Sequence, residues 1–483
     1  MADGLTEGVA EEAAGSSMAS MLPAARVGVV PNLASPFGSP TPSGQDSRPL
    51  TVRRITPADH GRFLAEHPGA SFLQNPQWPG VKIDWRGDSL GFFDGQSLKA
   101  TALVLFRRLP VPVPVLKKRS LAYIAEGPVF DPAAVQLESV LVPLVQYLKS
   151  RGAFLVRVGL PGVVNRWDGS EVRKALAAGT HRSVTDLTPL HTEPAAEDVR
   201  SRLLALGWQA PSASEEFEAG QPQFQARIPL QPELDIASDG TSAEPNKNGE
   251  SPALEAALNR MDSTSRRQTR KSTRSELTVS VGTVEDLPAW QALYEETAAR
   301  DGFTGRPLSY FQRMFAELNS AGSGGSAGSA GSAGSGGSRG SRGSRGSRGS
   351  EDNTGDSAVD SAVDTECTLY LAHFGEQLLA AAIYVRQGQF GWYVYGASSS
   401  EERKRYAPRA LQLRQIQDSL AAGCTWYDLG GMSPSLDPEY ELAGLTRFKT
   451  TMGADVVQTL GEWDYPVNRV LARGFNLYMS RRG

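Results

Sequence analysis

A single lysine, Lys449, lies in the segment GLTRFKTTMG between aromatic and hydroxyl neighbours. Upstream of it, GCTWYDLGG has the pattern of a short buried strand that ends at Gly430 and Gly431. A strand that ends in glycines, an ordered loop and one lysine would let a transferase present a cation to its substrate. A surface lysine that follows a loop has the same pattern, and residue type alone favours that simpler interpretation.

Two carboxylates lie in or after predicted strands. Asp131 follows the segment EGPVF, and Asp428 lies within the strand that precedes the glycine pair. A carboxylate at either position would have the chemistry of a general base. Each is also explained as a residue that caps a turn or supports the fold, and for Asp428 we favour the structural role.

Three further residues have the chemistry of a phosphate site. Trp78 and Lys82 are four residues apart, which puts a ring and a cation on one face of a predicted helix. Arg300 ends another predicted helix, and arginine binds phosphate or carboxylate groups through two parallel hydrogen bonds. Local explanations compete with this one: packing for Trp78 and Lys82, and an ion pair with Asp301 for Arg300.

A basic segment, RRQTRKSTR, is predicted to continue a helix that starts at SPALEAALNR. Its cations are Arg266, Arg267, Arg270, Lys271 and Arg274. On a helix Arg266, Arg270 and Arg274 share a face, and only Glu276 is near enough in sequence to neutralise them. Binding to an RNA backbone and a solvated helix surface explain this charge about equally well.

The composition narrows the possible classes. The chain has 483 residues and a formal net charge of -4, so any basic surface must be local. Its two cysteines and five histidines lack the spacing of a disulfide framework or a zinc site, and we expect no metal and no cofactor. No apolar run approaches the roughly 20 residues that span a bilayer, and the N-terminus lacks a signal-peptide pattern. We expect a cytoplasmic protein with at most peripheral contact at the inner face of the plasma membrane.

The order of predicted elements occurs twice along the chain. Residues 1–48 and an insertion over 319–365, which contains a Gly/Ser/Arg tract, are predicted to be disordered. The other residues contain, twice, a hairpin, a strand, a helix and a strand entered through glycine. This repeat predicts an α+β fold of two tandem acetyltransferase-like units with a cleft between them.

The second unit lacks the glycine-rich loop with which an acetyltransferase binds the pyrophosphate of CoA. Before its predicted helix the sequence reads EERKRYAPRALQLRQ, in which Tyr406 and Pro408 replace small residues. We therefore expect no CoA in this unit.

Seven segments together resemble the FemABX family of peptidoglycan bridge-forming aminoacyltransferases. In the family's order they are SFLQNPQWPGVK, AEGPVFD, RRQTRKSTR, YEETAARDGF, WYDLGGM, GLTRFKTTMGAD and GEWDYPV. The resemblance implies two acetyltransferase (GNAT)-like domains, one over 49–205 that is completed by 456–483 and one over 206–455. A long heptad hairpin is absent from the sequence, so we expect no coiled-coil arm.

The resemblance also implies a reaction and its substrates. An amino acid would pass from aminoacyl-tRNA to the side-chain amine of the stem peptide on a precursor, either lipid II or UDP-MurNAc-pentapeptide. Lys82 and Arg300 would hold the diphosphate of that precursor, with Tyr395 nearby. Thr304 stands where an aromatic residue often follows RDGF, which is a departure from the family pattern.

The reaction centre is implied by a second match. Phe448 and Lys449 match the family's Phe-Lys pair, in which the lysine serves the tRNA end, and Asp131 matches a carboxylate position. Two other functions stay open. One is a different acyltransferase of the same fold that acts on a small amine, and the other is a non-catalytic protein that binds tRNA or the precursor.

Overall fold

The structure, a computed structural model, describes residues 49–109, 118–210, 220–236, 242–320 and 364–479. The predicted tail over 1–48 and most of the insertion predicted over 319–365 lie outside these residues.

One open sheet of 14 strands is the framework of the described chain. The strands are β1 (Thr51–Arg54), β2 (Arg86–Asp94), β3 (Ser97–Arg108), β4 (Ser120–Ile124), β5 (Val129–Phe130), β6 (Ala153–Trp167), β7 (His191–Thr192), β8 (Phe224–Pro229), β9 (Thr278–Gly282), β10 (Thr365–Phe374), β11 (Gln377–Gln387), β12 (Phe390–Ser398), β13 (Trp426–Gly431) and β14 (Asp455–Tyr465). Their order is β1-β2-β3-β4-β6-β14-β8-β13-β12-β11-β10-β9, with β5 beside β3 and β7 beside β6.

Helices cover both faces of this sheet. They are α1 (Pro57–Ala65), α2 (Trp78–Val81), α3 (Leu137–Ser150), α4 (Gly169–Ala178), α5 (Pro194–Ala205), α6 (Pro252–Arg260), α7 (Ser263–Ser272), α8 (Leu287–Asp301), α9 (Leu308–Asn319), α10 (Ala407–Ala421), α11 (Ala443–Thr451) and α12 (Arg469–Met479). The longest in the described ranges, α8 and α10, have 15 residues, so these ranges contain no long coiled-coil arm. None of these helices is long and apolar enough to cross a membrane.

The predicted repeat is present in the sheet. In the first repeat β1, β2, β3 and β4 pair antiparallel in turn, α3 crosses over, and β6 pairs parallel with β4. In the second, β9, β10, β11 and β12 pair antiparallel in turn, α10 crosses over, and β13 pairs parallel with β12. Two parallel strands need such a crossover, which explains why each repeat ends in a helix and a strand. The α+β class and the two-repeat organisation are therefore confirmed.

Two strands join the repeats at the centre of the sheet. β14, from the end of the chain, pairs antiparallel with β6 of the first repeat, and β8, from between the repeats, pairs antiparallel with β13 of the second. β14 and β8 then pair with each other. The domain boundaries that we expect at 205 and 455 stay a prediction, because the sheet is continuous across them.

The two faces of the sheet differ at its centre. One face is apolar along both repeats, under α3, α4, α5, α6 and α10. The other is apolar under α8 and α9 and again under α12. Between those two regions the central strands carry polar side chains on this face. Their apolar side chains point to the other face, since strand residues alternate between faces. The polar side chains are Arg157, Gln225, Arg227, Asp428, Glu462 and Asp464.

The helix predicted from SPALEAALNR through the basic segment is two helices. α6 ends at Arg260, and the side chain of Asp262 accepts a hydrogen bond from the Ser265 amide and so caps α7. Aspartate is a strong N-cap residue, which is why the chain restarts a helix there. The prediction of one continuous helix was wrong at this point.

Candidate active site

Lys449 lies in α11 and its amine reaches the end of β13. The side chain is buried, with 5% of the residue exposed, and its Nζ donates a hydrogen bond to the carbonyl oxygen of Gly431. Gly430 has φ +80°, and a β-carbon at this position would lie 3.8 Å from the Lys449 Nζ. The glycine pair therefore bends the strand end around the amine in a conformation that other residues rarely adopt.

Burial and one carboxylate set the charge of this amine. Burial lowers the pKa of Lys449 from 10.5 to about 8, and the charge of Asp428 opposes that change. A lysine with this pKa is mainly protonated at neutral pH but loses its proton readily. Asp428 Oδ1 also accepts a hydrogen bond from the Gly430 amide at 2.6 Å, which ties the carboxylate to the same glycine turn.

Arg227 on β8 neutralises Asp428 on β13. Its Nε donates to Asp428 Oδ2 at 2.9 Å, and both side chains are less than a tenth exposed. The remaining guanidinium donates to the amide oxygen of Gln225. A buried ion pair is tolerated only when its partners satisfy each other in this way, and loss of one partner leaves an uncompensated charge.

Glu126, directly after β4, brings a second carboxylate to the pair. Ser71 and Gln225 hydrogen-bond to it, and it interacts electrostatically with Arg227 and Asp428. Burial raises the pKa of this carboxyl. Its backbone has φ +48°, a left-handed conformation that is uncommon for a glutamate. Such a conformation persists only when the surrounding structure fixes the residue in place.

Strand register explains why residues of two repeats meet here. β4 and β13 run in opposite directions, since one is parallel to β6 and the other is separated from it by three antiparallel pairings. Through its neighbours, the last residue of β4, Ile124, is level with Trp463 of β14, and the last residue of β13, Gly431, is level with Val457. β4 and β13 therefore run toward each other, and both end near the level of the middle of β14. We call Glu126, Arg227, Asp428 and Lys449 the central charged cluster.

A network of hydrogen bonds adjoins the central charged cluster. The Tyr123 hydroxyl donates to Glu462 Oε1 at 2.5 Å, and the same oxygen accepts from the Gln221 amide at 3.0 Å. Arg157 binds Asp464 through two bonds of 2.7 and 2.9 Å. Burial, followed by the charge of Glu462, raises the pKa of Tyr123, so this hydroxyl stays a hydrogen-bond donor at neutral pH.

A second group of cations surrounds tyrosine rings on the same face. The Lys82 Nζ lies 5.5 Å from the ring centre of Trp78 and 5.4 Å from that of Tyr310, and the Arg306 guanidinium lies 5.6 Å from the Tyr310 ring. The Tyr395 hydroxyl is 3.3 Å from that of Tyr310. Burial, with a smaller contribution from Arg306, lowers the pKa of Lys82 to about 8. We call Lys82, Arg306, Tyr310 and Tyr395 the cation–tyrosine cluster.

One segment, Ser71 to Lys82, connects the two clusters and both repeats. Ser71 at its start binds Glu126, and Lys82 follows α2 at its end. In between, the Gln74 amide oxygen accepts from the Leu103 amide of the first repeat at 2.8 Å. The Asn75 side chain donates to the Thr365 hydroxyl of the second repeat at 3.0 Å. Buried polar groups are costly unless they are paired, so these bonds fix the segment in place.

The described hydrogen bonds and ion pairs of Arg300 and Asp131 go to residues outside the central charged cluster. Arg300 ends α8, forms an ion pair with Asp301 at 2.8 Å and donates to the Ser398 carbonyl oxygen. Asp131 is exposed, and its carboxylate accepts from the Ala133 amide at 2.9 Å as the cap of a turn. Phe448, beside Lys449, is half-buried against the apolar cluster of the second repeat. Their roles in catalysis or binding stay predictions.

Four cations of the basic segment lie in α7 and the fifth, Arg274, lies two residues after its end, and their contacts divide them into two sets. Arg270 forms two bonds of 2.7 Å with Glu250, and Arg266 donates to the Asn259 side chain at 2.8 Å. The other three, Arg267, Lys271 and Arg274, are exposed. Glu276, which the sequence suggests as their neutralising partner, instead lies 3.3 Å from Arg405. The first turn of α7 adjoins α11, since the Asp262 amide donates to the Thr451 carbonyl oxygen.

Sequence reasoning missed Glu126, Arg227 and Arg306. Glu126 lies in the segment AEGPVFD, five residues before the predicted Asp131. Arg306 lies four residues after Gly302 of the RDGF segment. Nothing in the local sequence separates them from ordinary surface charges. Arg227 lies between apolar residues in a strand. A charged residue in such a pattern indicates a buried, paired charge, and this is the sequence signal that could have identified it.

Comparison with known proteins gives consistent matches. The model of the FemAB family matches residues 55–232, 242–320 and 361–479. The chain is 23% identical over 440 residues to the lipid II:glycine glycyltransferase of Staphylococcus saprophyticus, which covers 86% of this chain and 93% of that protein. The enzyme of the same name from Staphylococcus aureus strain USA300 is 23% identical over 443 residues, with the same two coverages.

A solved structure shares the fold. The crystal structure of FemX aligns with a TM-score of 0.62 at 18% sequence identity, over 88% of this chain and 99% of that one. At this identity the likeness shows the fold, and it agrees with the class predicted from the sequence.

The Lys449 amine should titrate near pH 8, and Asp428→Asn should lower its pKa further. The substitution removes the charge that opposes the effect of burial. The one oxygen of the asparagine can still accept from the Gly430 amide, while Arg227 Nε loses its carboxylate acceptor. NMR titration of protein grown with isotope-labelled lysine measures both values, and Lys449→Met assigns the signal. A Lys449 signal that titrates near 10.5, or one that Asp428→Asn leaves unchanged, would contradict the described geometry.

Proposed function

This chain belongs to the FemAB family and is an aminoacyltransferase, and from that premise we propose that it builds the interpeptide bridge of peptidoglycan. The proposed reaction transfers an amino acid from aminoacyl-tRNA to the side-chain amine of the stem peptide on a diphosphate-containing precursor, lipid II or UDP-MurNAc-pentapeptide. The observation that carries this proposal is the central charged cluster, in which a buried lysine of one repeat shares its surroundings with a carboxylate of the other.

The reaction is the aminolysis of an ester. The amine nitrogen attacks the ester carbonyl carbon, the carbonyl oxygen becomes an oxyanion, and the bond to the ribose oxygen then breaks. In our proposal the Lys449 ammonium donates a hydrogen bond to the oxygen that gains negative charge. A desolvated cation at this place stabilises the transition state more than the ground state, which is the requirement for catalysis.

The attacking amine must also lose a proton. Glu126 is the carboxylate of the central charged cluster that no arginine binds directly in a described ion pair, whereas Asp428 is bound to Arg227. Its raised pKa makes it a stronger base than an exposed glutamate. We assign to Glu126 the uptake of this proton, and its return to the ribose oxygen completes the balance: one amide forms, one ester breaks, and the tRNA leaves with a free hydroxyl.

The cation–tyrosine cluster supports recognition of a diphosphate. Two cations, Lys82 and Arg306, approach the same ring of Tyr310, and neither has an acidic partner among the described ion pairs. Arg300, by contrast, is already paired with Asp301. In our proposal Lys82 and Arg306 bind the diphosphate, while Arg300 ties the end of α8 to the end of β12 through the Ser398 carbonyl oxygen. This revises the pair expected from the family resemblance, in which Arg300 took that place.

Helix α7 supports an RNA donor. Its exposed cations Arg267 and Lys271, with Arg274 just after it, are free of described ion pairs. The helix begins beside the end of α11, which carries Lys449. Phosphate contacts from such a surface give affinity without sequence specificity. The segment before α10 argues for RNA rather than CoA, since the Arg405 guanidinium stacks on Phe374 at 3.3 Å and bonds to Ser275 where a pyrophosphate loop would be.

Lys449→Met should lower kcat/KM by at least about 10²-fold, because it removes the cation that faces the developing oxyanion. Transfer of a radiolabelled amino acid from charged tRNA measures this loss, and circular dichroism reports whether the fold is intact. Lys174→Met, at a lysine that is 69% exposed on α4, is the matched control and should leave transfer unchanged. Normal turnover by the Lys449→Met protein would overturn the assignment.

Glu126→Gln should lower kcat by about 10²- to 10⁴-fold and remove the rise of the rate with pH that a general base produces. Glu126→Asp should restore part of the rate, which loss of packing alone would not explain. Asp131→Asn serves as the comparison, since that carboxylate caps an exposed turn. If Asp131→Asn were the more damaging of the two, the proton acceptor would be the residue that the family resemblance suggests.

Lys82→Met and Arg306→Met should each raise KM for the precursor by roughly 10- to 100-fold, the range for loss of one hydrogen bond between charged groups. The increase should shrink for a stem-peptide substrate that lacks the diphosphate, because the lost contact is then absent from both proteins. Arg300→Met should have the smaller effect on KM. Equal losses with both substrates would show that these residues do not recognise the diphosphate.

A further inference from the structure

The last helix, α12, presents a mixed basic and apolar surface to solvent. Its inner side packs on the sheet through Leu471, Ala472 and Phe475, and the Phe475 ring lies 5.6 Å from that of Phe154. On its outer side the helical period places the exposed residues on one continuous arc. In order around the helix these are Asn476, Arg469, Arg473, Leu477, Val470 and Gly474.

The apolar part of this arc is unusually open. Val470 is 80% exposed and Leu477 is 56% exposed, whereas Ala472 on the inner side of the helix is buried. The cations Arg469 and Arg473 border them, and the helix contains no acidic residue. A basic helix with large apolar side chains on its solvent side is typical of a surface that lies in a membrane interface.

A cavity lies along the basic edge of the helix. It has a volume of about 200 Å³ and is lined by Gly207, Gln209, Pro466, Arg469, Ala472, Arg473 and Asn476. Two guanidinium groups and two side-chain amides at one cavity match the size and the hydrogen-bonding needs of a phosphate headgroup. The surface therefore combines an anion site with an adjoining apolar edge.

Trp85 connects α12 with the cation–tyrosine cluster. The Trp85 ring belongs to the apolar cluster that contains Leu471 and Phe475 of α12. The Trp85 amide donates to the carbonyl oxygen of Lys82 at 2.8 Å, which closes a tight turn, and Ile83 in that turn is 64% exposed. Trp85 thus joins α12 to the turn that carries the exposed Ile83 and that follows the lysine we assign to the diphosphate.

We propose that α12 and the turn at Ile83 dock the protein on an anionic phospholipid bilayer, with Arg469 and Arg473 at the lipid phosphates and Val470 at the level of the acyl chains. The proposal deepens the proposed function, on which it rests: a surface of this kind beside the diphosphate site favours a lipid-linked acceptor over a nucleotide-linked one. A free anion would occupy the cavity but leave the apolar edge exposed, and a bilayer accounts for both features.

Vesicle co-sedimentation of the full chain tests the docking surface. The probes are vesicles of equal parts phosphatidylglycerol and phosphatidylcholine, and vesicles of phosphatidylcholine alone. Wild-type protein should bind the anionic vesicles and lose binding as salt rises. Arg469→Gln with Arg473→Gln should weaken binding by about 30-fold, at roughly fivefold for each cation near an anionic surface. Val470→Asp with Leu477→Asp should weaken it as well.

The control is Val281→Asp, at a residue of β9 that is 53% exposed at the far edge of the sheet. This variant should bind vesicles like the wild type, and circular dichroism should show that all variants fold. The proposal would be overturned if wild-type protein did not bind anionic vesicles, or if the α12 variants bound them as tightly as the wild type. So would a dimer, seen by sedimentation velocity, that Val470→Asp dissociates, because a second copy would then cover the surface.

A second readout separates this proposal from the proposed function. The α12 variants should transfer normally to UDP-MurNAc-pentapeptide in solution and poorly to lipid II embedded in anionic vesicles. Equal activity on both acceptors would contradict the docking surface and leave the transferase assignment standing. If wild-type protein transferred to neither acceptor, the proposed function would be wrong. The vesicle-binding experiment would still test the docking surface.

Discussion

A buried lysine whose amine reaches the end of a strand is the constraint around which this structure is arranged. Burial removes most of the water around the Lys449 amine. Because a buried ammonium is costly without polar partners, it needs the Gly431 carbonyl oxygen and the nearby Asp428 carboxylate. The carboxylate, Asp428, is itself buried and needs Arg227. Arg227 comes from β8, and Glu126 completes the charges from the first repeat. Because each charge depends on the next, the cluster exists only when β14 and β8 hold the two repeats in one sheet.

The position of the site follows from the way the repeats are joined. Each repeat alone covers its sheet with helices and apolar side chains, as a stable α+β unit must. At the join the central strands carry polar side chains on one face, between the apolar regions under α8 and α9 and under α12. The segment from Ser71 to Lys82 crosses this region and is hydrogen-bonded to both repeats. The reaction chemistry and the diphosphate recognition that we propose therefore share one face, without a separate domain for either.

Sequence patterns predicted what depends on local order. The hairpins, the crossover helices and the strand that ends at Gly430 and Gly431 follow from turn residues and periodicity, whereas Lys449 is singled out by the family resemblance. The partners of Lys449 do not follow from local order, because Glu126 and Arg227 lie far from it in sequence and meet it only through strand register. For the same reason the sequence could not show that Arg270 is bound by Glu250, or that Arg306 rather than Arg300 shares a ring with Lys82. Local charge counts reveal which residues are ionic but not which ions are already paired.

The central claim is that the chain transfers an amino acid from charged tRNA to a stem-peptide amine. Mass spectrometry of the precursor after incubation with the full chain and aminoacyl-tRNA tests it most directly. We predict a mass increase of one amino-acid residue on the side-chain amine of the stem peptide, and its loss when the donor is first treated with RNase. A product that forms equally well after that treatment would indicate a different acyl donor, and an unmodified precursor would indicate a binding protein; either result would contradict the claim.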